Sequence, residues 1–362
     1  MKSEKVIKLC FIVPKVYPLF NQNIKAISGG AEKQVYLLGK ELSKNKKYEI
    51  NYCVSDYGQK KFEKYGNINI YNTFSFKDNI FVSLKNILKQ VKNINPDCCI
   101  FRGDDKKIFI LALIIKFFLK IKYVFWISHD NLVRKKSFFN YILFKNAFKV
   151  IAQTNDQKKL LKKNYPVNSV VIRNIFVKGD NKIETNIKKN IILWVGRSEK
   201  WKRPEIFLEL ANKNTGEKFV MVMSAATNKE KYFNKIKELA EKQKNLMFLS
   251  NLKFDDIIKY YKESKLFVIT SKEEGFSNTM MEAMEYSCPI LSLKVNPDNI
   301  IDEYKLGFCA HDDIDKFYEY FYQLNSDNHL RKKMSTNAQE YLKINHGTEI
   351  ILKKTIELVS SK

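Results

Sequence analysis

No stretch of this sequence is apolar for long enough to cross a bilayer. The longest run, Ile108–Ile115 with Phe117–Leu119 beyond Lys116, falls well short of the roughly 20 residues a spanning helix needs. Near the start only Leu9–Val13 is continuously apolar, and Met1–Pro18 has no small-residue cleavage pattern. The expectation is a chain without a secretory leader. Cysteine is sparse. Cys10, Cys53, Cys98, Cys99, Cys288 and Cys309 sit in or beside apolar runs, none spaced as a zinc pair or redox motif, so buried, reduced thiols are expected. Histidine is scarcer still, at four residues. The acidic pairs Asp104-Asp105, Asp255-Asp256 and Asp312-Asp313 read as turns or helix starts, and no metal cluster is expected.

Acidic residues are lacking in one half only. Residues 1–180 carry 34 Lys and Arg against 13 Asp and Glu, whereas residues 181–362 carry 30 against 26. A compositional bias toward lysine would load both halves alike. The asymmetry points to an anionic partner for the first half: a membrane surface, a lipid diphosphate or nucleic acid.

What is present suffices for real cores. The chain is 45% hydrophobic, with 26 Phe and 19 Tyr, which excludes disorder. Its 362 residues suit two domains. Apolar, β-branched runs predict strands at 8–13, 49–54, 68–71, 98–101, 123–127, 150–152 and 170–172. Helical segments are predicted between them at 30–43, 81–92, 107–120, 137–146 and 156–164. A polar stretch at 178–190 reads as a linker. The alternation restarts with strands at 191–195, 219–223, 246–249, 266–269 and 290–293, and helices at 229–241, 254–263 and 279–286. The remainder past 314 reads as helical. Unbroken apolar strands alternating with helices predict two doubly wound, parallel α/β domains. In such sheets ligands sit beyond the carboxyl ends of the strands.

Four strand-following loops carry chemistry. Ser271–Glu285 follows a strand and sets Glu274 and Glu282 around Gly275-Phe276-Ser277-Asn278-Thr279. Gly275 permits a tight turn, and Ser277, Asn278 or Thr279 can cap a helix whose first amides suit a diphosphate. A structural alternative is a capping box of Thr279 with Glu282. The strand at 191–195 runs into Gly196-Arg197, then Lys202, Arg203 and Pro204, where two cations precede a helix opened by proline. A basic solvated turn is the alternative there. Gly29 and Gly30 open the first long helix, a weak phosphate signal alone. His129 follows the strand at 123–127.

These four sites, in this order, resemble the retaining glycosyltransferases of the two-Rossmann GT-B architecture, specifically glycosyltransferase family 4. VGR…WKRPE and EEGFSNTMMEAMEYSCPIL carry the likeness most closely; GGAE, WISHD and VIRNIF carry it in the first half. The resemblance implies two Rossmann-like domains facing a cleft. An acceptor-binding domain would span 1–177, a linker 178–190 and a nucleotide-sugar-binding domain 191–346. The last helix, 347–362, would return to the first domain. It implies that Glu274 contacts the donor sugar, Glu282 the ribose, and Arg197 and Lys202 the diphosphate. Gly196 and the backbone of Phe276, Ser277, Asn278 and Thr279 would assist. Gly29 and Gly30 would approach donor phosphate and acceptor, His129 would lie near the sugar, and Asn174 would be structural. Two departures stand out: Asn174-Ile175 where the family has Asn-Gly, and Lys202-Arg203 where it has Lys-Gly.

The implied activity is metal-independent hexosyl transfer with retention, from a nucleotide-diphosphate sugar to a glycan or lipid-linked glycan of an envelope polysaccharide. The nucleotide sugar is a substrate and no cofactor is implied. A nucleotide-sugar epimerase of the same fold is a rival, disfavoured because its extra acid and base groups find no place. A basic non-enzyme that binds nucleic acid or membrane is another; it lacks a recognisable nucleic-acid module, and no nucleic-acid partner is expected. The expected location is the cytoplasm, peripheral on the inner face of the plasma membrane. The segment 135–149 mixes aromatics with lysines, so both a membrane-surface helix and a core helix remain open for it.

Overall fold

The computed structural model describes the chain apart from residues 1–4, 25, 27, 76–78, 104–105, 180–186, 227–228, 251, 253 and 362. The middle of the expected linker and the pair Asp104-Asp105 therefore lie outside the described residues. The chain divides into two units, Met1–Val177 with Gly347–Lys362, and Lys178–His346.

The first unit holds an eight-stranded sheet. Its strands are β1 (Ile7–Ile12), β2 (Tyr48–Ser55), β3 (Phe62–Tyr65), β4 (Ile68–Phe74), β5 (Cys98–Arg102), β6 (Tyr123–Trp126), β7 (Lys149–Ala152) and β8 (Ser169–Val171). They run in the order β3-β4-β2-β1-β5-β6-β7-β8. All neighbours are parallel except β3 on β4. Successive residues feed opposite layers, as strand geometry requires. Leu9 and Phe11 pack with helices Gly30–Leu42 and Thr348–Ser360. Cys10 and Ile12 pack with helices Ile80–Ile94, Lys106–Phe118 and Phe138–Asn146. Because both faces are covered, central runs such as Leu9–Ile12 and Cys98–Phe101 are continuously apolar. The edge strand β3 went unforeseen in the sequence for the opposite reason: Phe62-Glu63-Lys64-Tyr65 is partly exposed and mixes charge with aromatics.

The C-terminal helix is part of this unit. Phe176 bridges Gly347, and the Thr348 hydroxyl donates to the Phe176 carbonyl at 3.0 Å.

The second unit holds β9 (Ile191–Arg197), β10 (Lys218–Ser224), β11 (Leu246–Ser250), β12 (Ser264–Ile269), β13 (Ile290–Ser292) and β14 (Gly307–Cys309). Their order is β11-β10-β9-β12-β13-β14, all parallel. Numbered within the unit, that is the 3-2-1-4-5-6 order of a doubly wound nucleotide-binding sheet. The short strand β14 and the short helices Asn131–Arg134 and Ile300–Glu303 carry too few residues to show a period in sequence. Strand order reverses between β9 and β12 here, and between β1 and β5 in the first unit. Both units thus have the doubly wound architecture expected.

The six cysteines are buried and unpaired. Burial pushes the Cys98 thiol to about 12 and the Cys288 thiol to about 11.

Candidate functional site

The second unit brings charged side chains together at its switch point. Strands β9 and β12 are neighbours, and the loops leaving their carboxyl ends carry the residues of interest. Beyond β9, Gly196 leaves no room for a side chain, since a Cβ there would stand 2.7 Å from the Trp194 ring. A single tight turn, Lys200–Lys202, follows, and Pro204 then opens the helix Pro204–Lys213. Between them Arg203 takes the left-handed conformation, at φ 48° and ψ 51°.

Beyond β12, the helix Asn278–Glu285 begins after the Gly275 turn. Ser277 is its N-cap, accepting from the Met280 amide at 3.2 Å. The capping-box alternative is thereby corrected: Thr279 lies inside the helix, its hydroxyl 3.1 Å from that of Ser277. Glu282 lies beyond the first turn. The Tyr261 hydroxyl, from helix Phe254–Glu263, donates to its carboxylate at 3.0 Å. Burial, and then that carboxylate, push the Tyr261 hydroxyl well above its ordinary value, so it remains a donor.

Lys202 and Glu274 join in an ion pair across the two loops. Both side chains are largely buried, at 11% and 16% exposure. The Ser271 hydroxyl donates to the other Glu274 oxygen at 3.2 Å, and the Lys202 ammonium stands 4.7 Å from the centre of the Trp201 ring. The backbone beneath is tied as well. Trp194 Nε1 donates to Thr270 Oγ1 at 3.0 Å, and Thr270 Oγ1 donates to the Lys202 carbonyl at 2.6 Å. The Lys272 amide meets the Trp201 carbonyl at 2.7 Å. Lys202, Ser271, Glu274 and Thr279 line one small recess together with Trp194 and Ile269. A cation, a carboxylate and the opening of a helix thus share one concavity, a combination able to hold a phosphate-linked polyol.

Arg203 explains the Lys-Arg departure. Its Nε donates to the Thr270 carbonyl at 2.7 Å, its Nη2 to the Ser271 carbonyl at 3.2 Å and its Nη1 to Asp312 at 2.6 Å. Lys294 first, and then Arg203, holds the Asp312 carboxyl below its usual range. A left-handed backbone favours glycine; here an arginine accepts that conformation and clamps the loop bearing Lys202 to the loop bearing Glu274. Arg203→Ala is expected to cost about 2 kcal/mol in urea unfolding, because it keeps the backbone strain and loses the clamp. Arg203→Gly relieves the strain and should be milder by about 1 kcal/mol. If glycine proved the more damaging, this account of the position would fail.

The remaining sequence candidates fall elsewhere. Arg197 is exposed and forms no ion pair among the described residues. The Phe276 ring is buried and stacked on His346 at 4.2 Å, so only its backbone faces outward chemistry. Asn278 opens the helix. Gly29, Gly30 and His129 belong to the first unit; Gly29 caps the helix Gly30–Leu42, and His129 is exposed after β6. Sequence reasoning missed Tyr261, Ser271 and the Trp194–Thr270 link. Tyr261 and the Trp194–Thr270 link act through neighbours distant in the chain; Ser271 lies three residues from Glu274, inside the loop already singled out, but serine there gives no distinctive signal. Among the described residues no group of three or more His, Cys, Asp or Glu is placed to hold a metal.

Comparison with known proteins places these observations. Residues 178–341 match the family described as glycosyl transferases group 1. An uncharacterized glycosyltransferase of Methanocaldococcus jannaschii is 25% identical over 247 residues, which is 59% of this chain and 60% of that protein. The chain thus spans less than two thirds of that relative. The amylovoran biosynthesis glycosyltransferase AmsD of Erwinia amylovora is 24% identical over 356 residues, 92% of this chain and 96% of that one. Among solved structures, Anabaena HepE in complex with UDP-glucose is similar with a TM-score of 0.74 and 14% identity, covering 98% of this chain and 100% of the other. The fold is the double Rossmann-like, GT-B type, and the chain is related to the group 1 glycosyltransferases.

Proposed function

We propose that this chain transfers a hexose-type sugar, with retention and without a metal, from a nucleotide-diphosphate sugar to a glycan or lipid-linked glycan of an envelope polysaccharide. The observation that carries the reading is the Lys202–Glu274 pair beside the Ser277-capped helix. Breaking the bond between sugar C1 and the diphosphate oxygen builds negative charge on the phosphates. In this proposal Lys202 leaves Glu274 for those phosphates, assisted by Arg197 and the helix opening. Glu274, so released, accepts from sugar hydroxyls, while Glu282, held by Tyr261, accepts from the ribose. Transfer takes place on the face the diphosphate leaves, and a leaving phosphate oxygen takes the acceptor's proton. The Erwinia relative's role in amylovoran biosynthesis and the UDP-glucose in the Anabaena structure support the choice of acceptor and donor classes.

A thermal-shift screen of nucleoside diphosphates and nucleotide sugars tests this. At a ligand concentration near 100 times its Kd, stabilisation reaches about 2.7 kcal/mol, a clear rise in Tm. Glu282→Ala and Arg197→Ala should each weaken the response. The proposal is lost if no such ligand moves the wild type, or if both variants respond as it does.

Peripheral membrane binding belongs to the same proposal, now narrowed by packing. Within 135–149, Leu143 and Phe144 are buried and Phe139 stacks on Phe109 at 6.0 Å, so one face of this helix is core. Its beginning differs: Phe138 is 79% exposed and follows exposed Arg134, Lys135 and Lys136. Phe117 and Phe118, ending helix Lys106–Phe118, are exposed as well. Flotation with vesicles of anionic lipid should exceed that with neutral lipid and fall with salt, and Phe138→Ser should reduce it. Equal flotation on both vesicle types removes the membrane from the proposal.

A further inference from the structure

The first unit contains a buried cation that the chain itself leaves mostly unanswered. Arg102 ends β5, is 3% exposed, and sets its guanidinium carbon 3.9 Å from the centre of the Trp126 ring. Its Nη2 donates to Asn174 Oδ1 at 3.2 Å, while its Nε and Nη1 are buried without a hydrogen-bond partner among the described residues. Two more buried atoms nearby share that condition: Trp126 Nε1 and Ser128 Oγ. Arg102 pairs with Trp126 across β5 and β6, and Ser128 lies two positions further along, so all three occupy one face of the sheet. That face is the one covered by helix Gly30–Leu42, since Ile100 and Trp126 share a core layer with Val35 and Leu38. The position is the carboxyl end of β5 beside β1, where strand order reverses.

The unmet groups are donors. A cluster of buried donors without acceptors is costly by itself and is completed by an acceptor-rich, negatively charged group. Burial pulls the guanidinium down to about 9, opposed by the Glu32 carboxylate acting through space. Glu32 makes no hydrogen bond to the unmet nitrogens; it folds back on the helix start, where a Cβ on Gly29 would stand 2.6 Å from its Oε2.

We infer that Arg102, Trp126 and Ser128 form a phosphoryl-binding site in the first unit, with Asn174 fixing the guanidinium. A phosphoryl group is favoured over a carboxylate because the hydrogens on these atoms outnumber the roughly four lone pairs a carboxylate offers. Arginine's planar fork suits phosphate oxygens, and the unit's excess of basic residues draws such anions in. The phosphoryl group belongs either to the acceptor or to the donor's diphosphate. The identity of the phosphoryl group rests on the proposed sugar transfer; the site itself is argued from Arg102, Trp126 and Ser128 alone.

The test uses the full chain, inorganic phosphate and UDP. With the three tryptophans labelled at the indole nitrogen, and Trp126 assigned through Trp126→Phe, titrating phosphate should move the Trp126 N–H resonance. The Trp194 N–H, already bonded to Thr270, should stay in place. Arg102→Gln should weaken phosphate binding about tenfold or more, and Glu32→Gln should tighten it by removing a like charge. If Arg102→Gln also weakens UDP binding, the donor supplies the phosphoryl group; if UDP binding is unchanged, the acceptor does. Should Arg102→Gln fail to fold, the Trp126 resonance and the Glu32→Gln arm still decide. A Trp126 resonance indifferent to phosphate in the wild type, or phosphate binding undiminished in folded Arg102→Gln, overturns the inference.

Discussion

Lys202→Met is expected to lower kcat for sugar transfer by about 10²- to 10³-fold, with a smaller change in KM. The magnitude follows from where the ammonium sits. It is held largely out of water, against the Trp201 ring and Glu274, and a cation positioned in such a place stabilises developing phosphate charge far more than one in solvent. The pairing also makes a second statement. Glu274→Gln should cost less in a Lys202→Met background than in the wild type, because each residue holds the other ready. Release of nucleoside diphosphate from the accepted donor measures both effects, and circular dichroism separates them from unfolding. A Lys202→Met protein within tenfold of wild-type kcat would mean that the leaving group's charge is met elsewhere, and the site assignment would fall.

Gly307→Ala should produce the largest loss of stability, more than about 3 kcal/mol in the second unit. Gly307 has φ 156°, and a Cβ built there would stand 1.8 Å from the Ile290 carbonyl oxygen and 2.6 Å from the Ile290 carbonyl carbon. The obstacle is backbone, which cannot swing aside as a side chain can. Gly307 and Ile290 are direct partners across β13 and β14, so relief requires the edge strand to pull away. Gly216→Ala is the matched control: its Cβ would meet nothing within 4 Å, and a change within about 0.5 kcal/mol is expected. Urea unfolding followed by a probe in each unit is needed, since two units need not unfold together. Equal midpoints for Gly307→Ala and wild type would contradict the packing described for this edge.

Much of the fold was legible in the sequence because the relevant signals are local. Leu9–Val13, Cys98–Phe101 and Ile191–Val195 are apolar without alternation, which is what a parallel strand between two helical layers demands. Ser277 and Pro204 mark helix starts through chemistry that reaches only two or three residues. The edges were less legible. Strand β3 lies where one side is uncovered, and β14 has three residues; neither context imposes a pattern strong enough to read.

The site was legible in part. Glu274, Lys202 and the glycines around them stand in strand-following loops, Glu282 in the helix that follows one of them, and all could be singled out by spacing. Arg203 could not be given its role from its neighbours, since its three acceptors are at Thr270, Ser271 and Asp312. Tyr261, buried against Glu282, looked like any core aromatic.

Taken alone, the order of residues determined the doubly wound α/β class and the two-part division, and singled out candidate loops, because periodicity and capping are decided within a few residues of chain. Which of those residues meet was settled by strand order. Placing β12 beside β9 joins Lys202 to Glu274 across 72 positions, and placing β5 beside β6 gathers Arg102, Trp126 and Ser128, several of whose donors meet no acceptor among the described residues. Such meetings depend on contacts remote in sequence, and no local pattern records them.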